Sequence, residues 1–80
     1  MYYVYALKSV NHNWIYVGIS NDVQRRLDQH NKGFNRSTKP YKPFFLIYSE
    51  KFYDRATARQ KEIFLKSTSG KRYLRNIISE

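Results

Sequence analysis

Hydrophobic and polar positions change period several times along this chain, and each change predicts an element. Residues 2–8 (Tyr-Tyr-Val-Tyr-Ala-Leu-Lys) are dense in β-formers and predict a strand. Asn11, His12 and Asn13 carry turn chemistry, and Trp14 to Ile19 predict a second strand. So short a connection makes the pair an antiparallel hairpin. A helix follows. Asn21 and Gln24 have the spacing of a capping box, Asp22 falls in the first turn, and the helix runs to about Asn31, where Lys32-Gly33 ends it. Residues 33–43 read as a polar, basic loop containing both prolines. Phe44 to Phe52 (Phe-Phe-Leu-Ile-Tyr-Ser-Glu-Lys-Phe), which opens on an apolar run, predicts a third strand, largely buried. Asp54 caps a second helix reaching about Ser67, Thr68-Ser69-Gly70 breaks it, and Lys71 to Ile78 makes a short last helix. The order is β-β-α-β-α-α. It implies an α/β domain of the α+β kind, a small three-stranded antiparallel sheet flanked by helices, occupying residues 1–80 as a single unit.

Composition narrows what such a domain can do. Eighty residues bury only about two-thirds of their unfolded surface, and an aromatic content of 18% supplies the bulk for a small core. The absence of cysteine excludes disulfides, thiolate metal sites and a cysteine nucleophile. No apolar run approaches the ~20 residues that span a bilayer, and the first residues lack the features of a secretion signal, so a cytoplasmic location is expected. Fifteen Lys plus Arg against six Asp plus Glu leave a net charge of +9. That charge repels itself in the folded state, so a polyanion is the simplest partner. Nucleic acid fits better than membrane, because the cations are scattered along the chain and do not line one amphipathic helix.

Candidate chemistry lies where the hairpin meets the first helix. Tyr3, Tyr5 and Leu7 share one face of the first strand, and Tyr16, Gly18 and Ser20 one face of the second. If Tyr5 pairs with Tyr16, or diagonally so that Tyr5 faces Gly18, both tyrosines lie on the same face. A slip of one residue separates them. Gly18 leaves space beside Tyr16 for a ligand or a close backbone. On the helix, Val23, Arg26, Leu27 and His30 fall on one side, whereas Arg25 points away. An inward arginine is costly without an anion, and its planar fork matches phosphate.

Each residue also has an ordinary reading. Tyr5 and Tyr16 are explicable as sheet packing and His30 as a surface histidine compensating the helix dipole. Glu62, with Arg59 three residues before and Lys66 four after, reads as a solvated helix ion pair. Arg26 could cover apolar surface with its stem, and Asn76 could be helix surface.

Taken together in order, these segments resemble the GIY-YIG nuclease superfamily, in particular its small stand-alone bacterial members and the N-terminal domain of excision-repair nucleases. Tyr3-Val4-Tyr5 and Tyr16-Val17-Gly18 resemble its paired strand motifs, and Gly18 through His30 its turn, helix, Arg and His. Arg59 through Ser67 resembles the helix with its metal-binding Glu, while Lys39 through Phe44 and Gly70 through Leu74 look like connectors. The resemblance covers nearly the whole chain. It implies a metal-dependent endonuclease acting on nucleic acid, DNA first, in repair or processing. Glu62 would hold a single divalent ion, Mg²⁺ or Mn²⁺. Tyr5 would help activate water with His30 as proton acceptor, Tyr16 would position water or phosphate, and Arg26 would neutralise the transition state. Asn76 resembles a polar position near the phosphate. The chain departs from the pattern at Tyr3, where the name motif has Gly, and at Ile19, where some members carry a lysine. Lys32, Arg36, Lys39 and Lys42 flank the site, where phosphate-backbone contacts predict a steep salt dependence with weak sequence preference. Alternatives are a basic nucleic-acid-binding module with little cleavage and a structural protein whose charge serves solubility. The expected assembly is a monomer or weak homodimer, with a partner protein for targeting left open.

Overall fold

The computed structural model describes residues 1–79, leaving Glu80, the last residue of the expected domain, outside the described range. Its elements are β1 (Tyr2–Ser9), β2 (Ile15–Ser20), α1 (Val23–Asn31), β3 (Phe44–Phe52), α2 (Arg55–Lys66) and α3 (Thr68–Ile78), with a short 3-10 turn at Lys39–Tyr41 inside the basic loop. The three strands form one antiparallel sheet in the order β2-β1-β3. The expected α+β arrangement is therefore the one observed.

β1 is central, and helices cover both faces. Val4 and Ala6 point to one side, where Ile15 and Val17 of β2 join Ala58 and Leu65 of α2 and Leu74 of α3. Tyr5 and Leu7 point to the other, where they meet Phe44, Trp14, Tyr16, and Val23 and Leu27 of α1. This explains why four consecutive residues of β1, Val4 to Leu7, have no solvent exposure. A strand covered on both faces buries every side chain whatever its parity.

Four local expectations change. Trp14 precedes β2 instead of opening it; its ring leaves the hairpin to stack on Tyr41 at 4.2 Å between centroids. Asp22 is the N-cap of α1, accepting from the Arg25 amide at 3.0 Å, so it lies outside the helix instead of within the first turn, and no Asn21–Gln24 box forms. The cause is a turn one residue earlier: the Ser20 hydroxyl accepts from the Asp22 amide and donates to the Asp22 carbonyl. β3 is mostly exposed along its length, with Phe44 its one buried residue. Its apolar opening suits burial on two faces, yet β3 is an edge strand, and Phe45, Leu46, Ser49, Glu50 and Lys51 are all exposed. Finally, Thr68-Ser69-Gly70 does not separate the last helices by a break. It is the first turn of α3, capped by Ser67, whose hydroxyl accepts from the Gly70 amide at 3.1 Å. A Cβ on Gly70 would stand 2.0 Å from the Phe64 carbonyl oxygen and 2.4 Å from Leu65 Cα. The glycine is there to let α3 press on the end of α2. The Asp54 cap of α2 forms as expected, accepting from the Thr57 amide at 2.8 Å.

Candidate active site

The hairpin register decides whether the two tyrosines meet. Tyr5 pairs with Gly18, and Leu7 with Tyr16, so Tyr5 and Tyr16 are diagonal neighbours on the α1 face, their ring centroids 6.1 Å apart. The space over Gly18 is not free for a ligand, as its missing side chain suggested. A Cβ there would meet the Tyr5 hydroxyl at 2.8 Å and Tyr16 Cε2 at 3.0 Å. Glycine is needed so that the Tyr5 ring can lie across the neighbouring strand. Tyr5 is fully buried as a result, while Tyr16 remains half-buried.

α1 brings the second half. His30, in its last turn, is 1% exposed, which excludes the surface, dipole-compensating role. Its ring lies 4.6 Å from that of Tyr16 and 5.9 Å from that of Phe44. Nε2 stands 3.5 Å from the Tyr5 hydroxyl, at the outer limit of a hydrogen bond, and Nδ1 stands 2.9 Å from Thr38 Oγ1. The Thr38 hydroxyl donates to the Asn35 carbonyl at 3.3 Å. The hydroxyl has one proton and two acceptors in reach, so Nδ1 either donates to Oγ1 or accepts from it; with Nδ1 as the donor, the Nε2 lone pair faces Tyr5.

Arg26 lies one turn before His30 and is half-buried, donating from a guanidinium nitrogen to Gln29 Oε1 at 3.0 Å. Its charge organises the neighbouring titrations. Burial pushes the Tyr5 hydroxyl above the ordinary tyrosine range, against the pull of the Arg26 guanidinium beside it. Burial, reinforced by the Arg26 charge, pushes His30 below the ordinary imidazole range. Arg26 is itself held more firmly protonated by the Tyr5 hydroxyl. The resting state is thus neutral Tyr5, neutral His30 and cationic Arg26. A cleft of about 390 Å³ opens beside Arg26 and His30, lined also by Gln29, Phe34 and Asn35, with neither Tyr5 nor Tyr16 in its wall.

The remaining sequence candidates stand elsewhere. Glu62 is on α2, between the buried Ala58 and Leu65, and is itself 7% exposed. Its carboxylate accepts from Arg59 at 3.1 Å and Lys66 at 3.0 Å, the ion pairs that the helical spacing suggested. No hydrogen bond or ion pair joins it to Tyr5, Tyr16, Arg26 or His30 among the described residues. Asn76 is exposed in a separate groove of about 550 Å³ shared with Lys66, Thr68, Lys71, Arg72 and Arg75. Lys71 crosses from there to donate to the Ile15 carbonyl at 2.7 Å. Lys32, the C-cap of α1, and Arg36, Lys39 and Lys42 are all exposed on the loop after α1.

Sequence reasoning missed Thr38. It sits eight residues beyond His30 in an irregular loop, where no periodicity predicts a contact. It also missed Asn31, whose side-chain amide clamps the backbone of Phe44 by accepting from its N–H at 2.6 Å and donating to its carbonyl at 3.2 Å. That clamp ties the end of α1 to the start of β3.

Comparison with known proteins identifies the fold. The family model described as the GIY-YIG catalytic domain matches residues 1–75. The UPF0213 protein YazA of Bacillus subtilis (strain 168) is 32% identical over 72 residues, 89% of this chain and 72% of YazA. A UPF0213 protein of Staphylococcus haemolyticus (strain JCSC1435) is 32% identical over 77 residues, 95% of this chain and 93% of that protein. One from Vibrio parahaemolyticus (serotype O3:K6, strain RIMD 2210633) is 36% identical over 64 residues, 79% of this chain but 59% of its own length. No solved structure matches the chain significantly. The family match makes this a nuclease-type catalytic domain. The chain belongs to the GIY-YIG family, as a small member similar to the UPF0213 proteins. No described helix is long and apolar enough to cross a membrane.

Proposed function

We propose that this chain, acting as one domain, hydrolyses phosphodiester bonds in nucleic acid, DNA in the first place, with a single divalent ion held through Glu62. The observation that carries the reading is the buried chain Tyr5–His30–Thr38 beside Arg26. A neutral imidazole oriented by a threonine, with its free lone pair directed at a tyrosine hydroxyl, is the arrangement of a proton acceptor. A fixed guanidinium at the same place suits phosphate.

Roles follow from exposure. Tyr16 is the tyrosine that reaches toward solvent, and it positions the attacking water or the phosphate. Tyr5 lies inside, where its hydroxyl links the water-holding surface to His30 Nε2, which takes up the proton. Arg26 neutralises the charge that grows on the phosphoryl oxygens. No group of three or more His, Asp or Glu side chains able to hold a metal occurs among the described residues. Glu62 alone fits a hard ion that takes its other ligands from water and phosphate, such as Mg²⁺ or Mn²⁺. Arg59 and Lys66, whose side chains are 65% and 52% exposed, can swing away to release its oxygens. When bound, the ion supplies Lewis acidity at the phosphoryl oxygen and the leaving oxygen. The cations Lys32, Arg36, Lys39 and Lys42 serve the backbone on one side, with Asn76 and its basic groove extending the anion-binding surface. A place in DNA repair or processing, inside the cytoplasm, is part of the same proposal.

The ion pairs that occupy Glu62 favour one other reading, a basic binding module with little intrinsic cleavage. Incubation with single-stranded, nicked, flapped and duplex DNA and with RNA, in Mg²⁺, Mn²⁺ or EDTA, separates the two. Metal-dependent cleavage lost in Glu62→Ala and in Tyr5→Phe supports the nuclease. Binding without cleavage, unchanged in Glu62→Ala, supports the module.

A further inference from the structure

The residue after the end of α1 is placed for a use its packing does not explain. The helix closes with a Schellman motif. Gly33, at φ +80°, donates to the His30 carbonyl at 3.1 Å, and the Phe34 amide donates back to the Gln29 carbonyl at 3.0 Å. In this motif an apolar residue at the Phe34 position ordinarily folds back on the helix. Here the Phe34 ring is 73% exposed, although its backbone is fixed by that hydrogen bond. It also lines the cleft that holds Arg26 and His30. A large ring held in water at the lip of a cationic cleft is a surface awaiting a flat apolar partner.

We propose that Phe34 stacks against an unpaired nucleobase next to the phosphate that Arg26 receives, so that the substrate is single-stranded at the cleft. The inference rests on the nuclease reading for the role of Arg26. In a duplex both faces of every base are covered by its neighbours, so an aromatic platform finds a partner only where the strand is unpaired. The cleft volume of about 390 Å³ is also small beside a double helix and lies in the range of single-nucleotide-sized sites. The net charge of +9 and the exposed Arg36 and Lys39 nearby make a nucleic acid strand the complementary occupant.

The test measures affinity by fluorescence anisotropy in EDTA, which removes turnover, using a labelled oligothymidine single strand and a hairpin duplex of mixed sequence. Wild type is compared with Phe34→Ala, Phe34→Leu and Phe34→Trp. Stacking is worth about 1–3 kcal/mol per base, so Phe34→Ala and Phe34→Leu should weaken single-strand binding roughly 5- to 140-fold while duplex binding stays within about twofold. Phe34→Trp should restore it. Equal losses on both ligands, or full retention in Phe34→Leu, overturn the stacking role, since a partner insensitive to ring planarity is then in contact. Binding of both ligands with no response to Phe34→Ala also overturns it, and leaves the nuclease reading standing. Wild-type protein that binds neither ligand overturns both.

Discussion

Thr38 holds the imidazole of His30. The two residues are joined at 2.9 Å between Oγ1 and Nδ1, and both are buried, Thr38 completely. When the threonine hydroxyl donates to Asn35, Nδ1 is the donor to Oγ1 and the Nε2 lone pair meets Tyr5. Thr38→Val keeps the shape and removes the hydrogen-bond partner of Nδ1. An orphaned buried donor costs about 1–3 kcal/mol, so urea denaturation should show a loss of that order. Thr38→Ser should recover most of the stability. If the proposed proton transfer operates, cleavage should fall in the valine variant and return in the serine variant.

His30 also makes a prediction about pH. Its folded pKa is depressed from the ordinary 6.5 by burial and by Arg26. As pH falls through 6.5 the unfolded chain takes up a proton that the folded chain refuses. Stability is therefore complete above that value and declines with acid until the folded pKa is reached, below which this contribution stops changing. Thermal melts at successive pH values should show the decline, and it should be much reduced in His30→Asn. A wild-type profile that is flat below neutrality would contradict the assignment.

Gly18 is predicted to be intolerant for a reason unrelated to backbone conformation. A methyl group at that position requires the Tyr5 hydroxyl, now 2.8 Å from where Cβ would be, to move. The ring is fully buried and has little room, so Gly18→Ala should cost about 1–3 kcal/mol, as overpacking commonly does. Near-UV circular dichroism should report the displaced tyrosine alongside the lower melting temperature.

Glu62 should behave in the opposite way. Its carboxylate is buried, but glutamine keeps its shape and one acceptor oxygen, and the exposed Arg59 and Lys66 can turn to water. Glu62→Gln should therefore shift stability by less than about 1 kcal/mol while abolishing metal-dependent cleavage. A large loss of stability, with cleavage retained in the folded fraction, would assign the residue to the fold alone.

Much of this was legible in the sequence, and the reasons differ by element. The parity of Tyr5 and Tyr16, the cap at Asp54 and the shared face of Arg26 and His30 follow from short-range periodicity, which survives folding intact. The shared sheet face needed one further fact, the Tyr5–Gly18 register, because the turn around Val10–Asn13 permits more than one pairing. The burial of β3 was misread because an apolar run reports a preference for cover, whereas the position of the strand in the sheet decides whether cover exists. Gly70 was misread because a helix-breaking residue and a residue needed for close helix contact are the same letter.

Composition and local spacing are enough for the kinds and order of the elements, the strong positive charge and the residues that share a face. It takes the folded chain to seal Tyr5 from solvent, to join Thr38 to His30, to put Glu62 on a helix covering the other face of the sheet and to leave Phe34 in water. Those facts depend on contacts between segments distant in the chain, made by loops that have no period to read and settled by which surfaces compete successfully for burial.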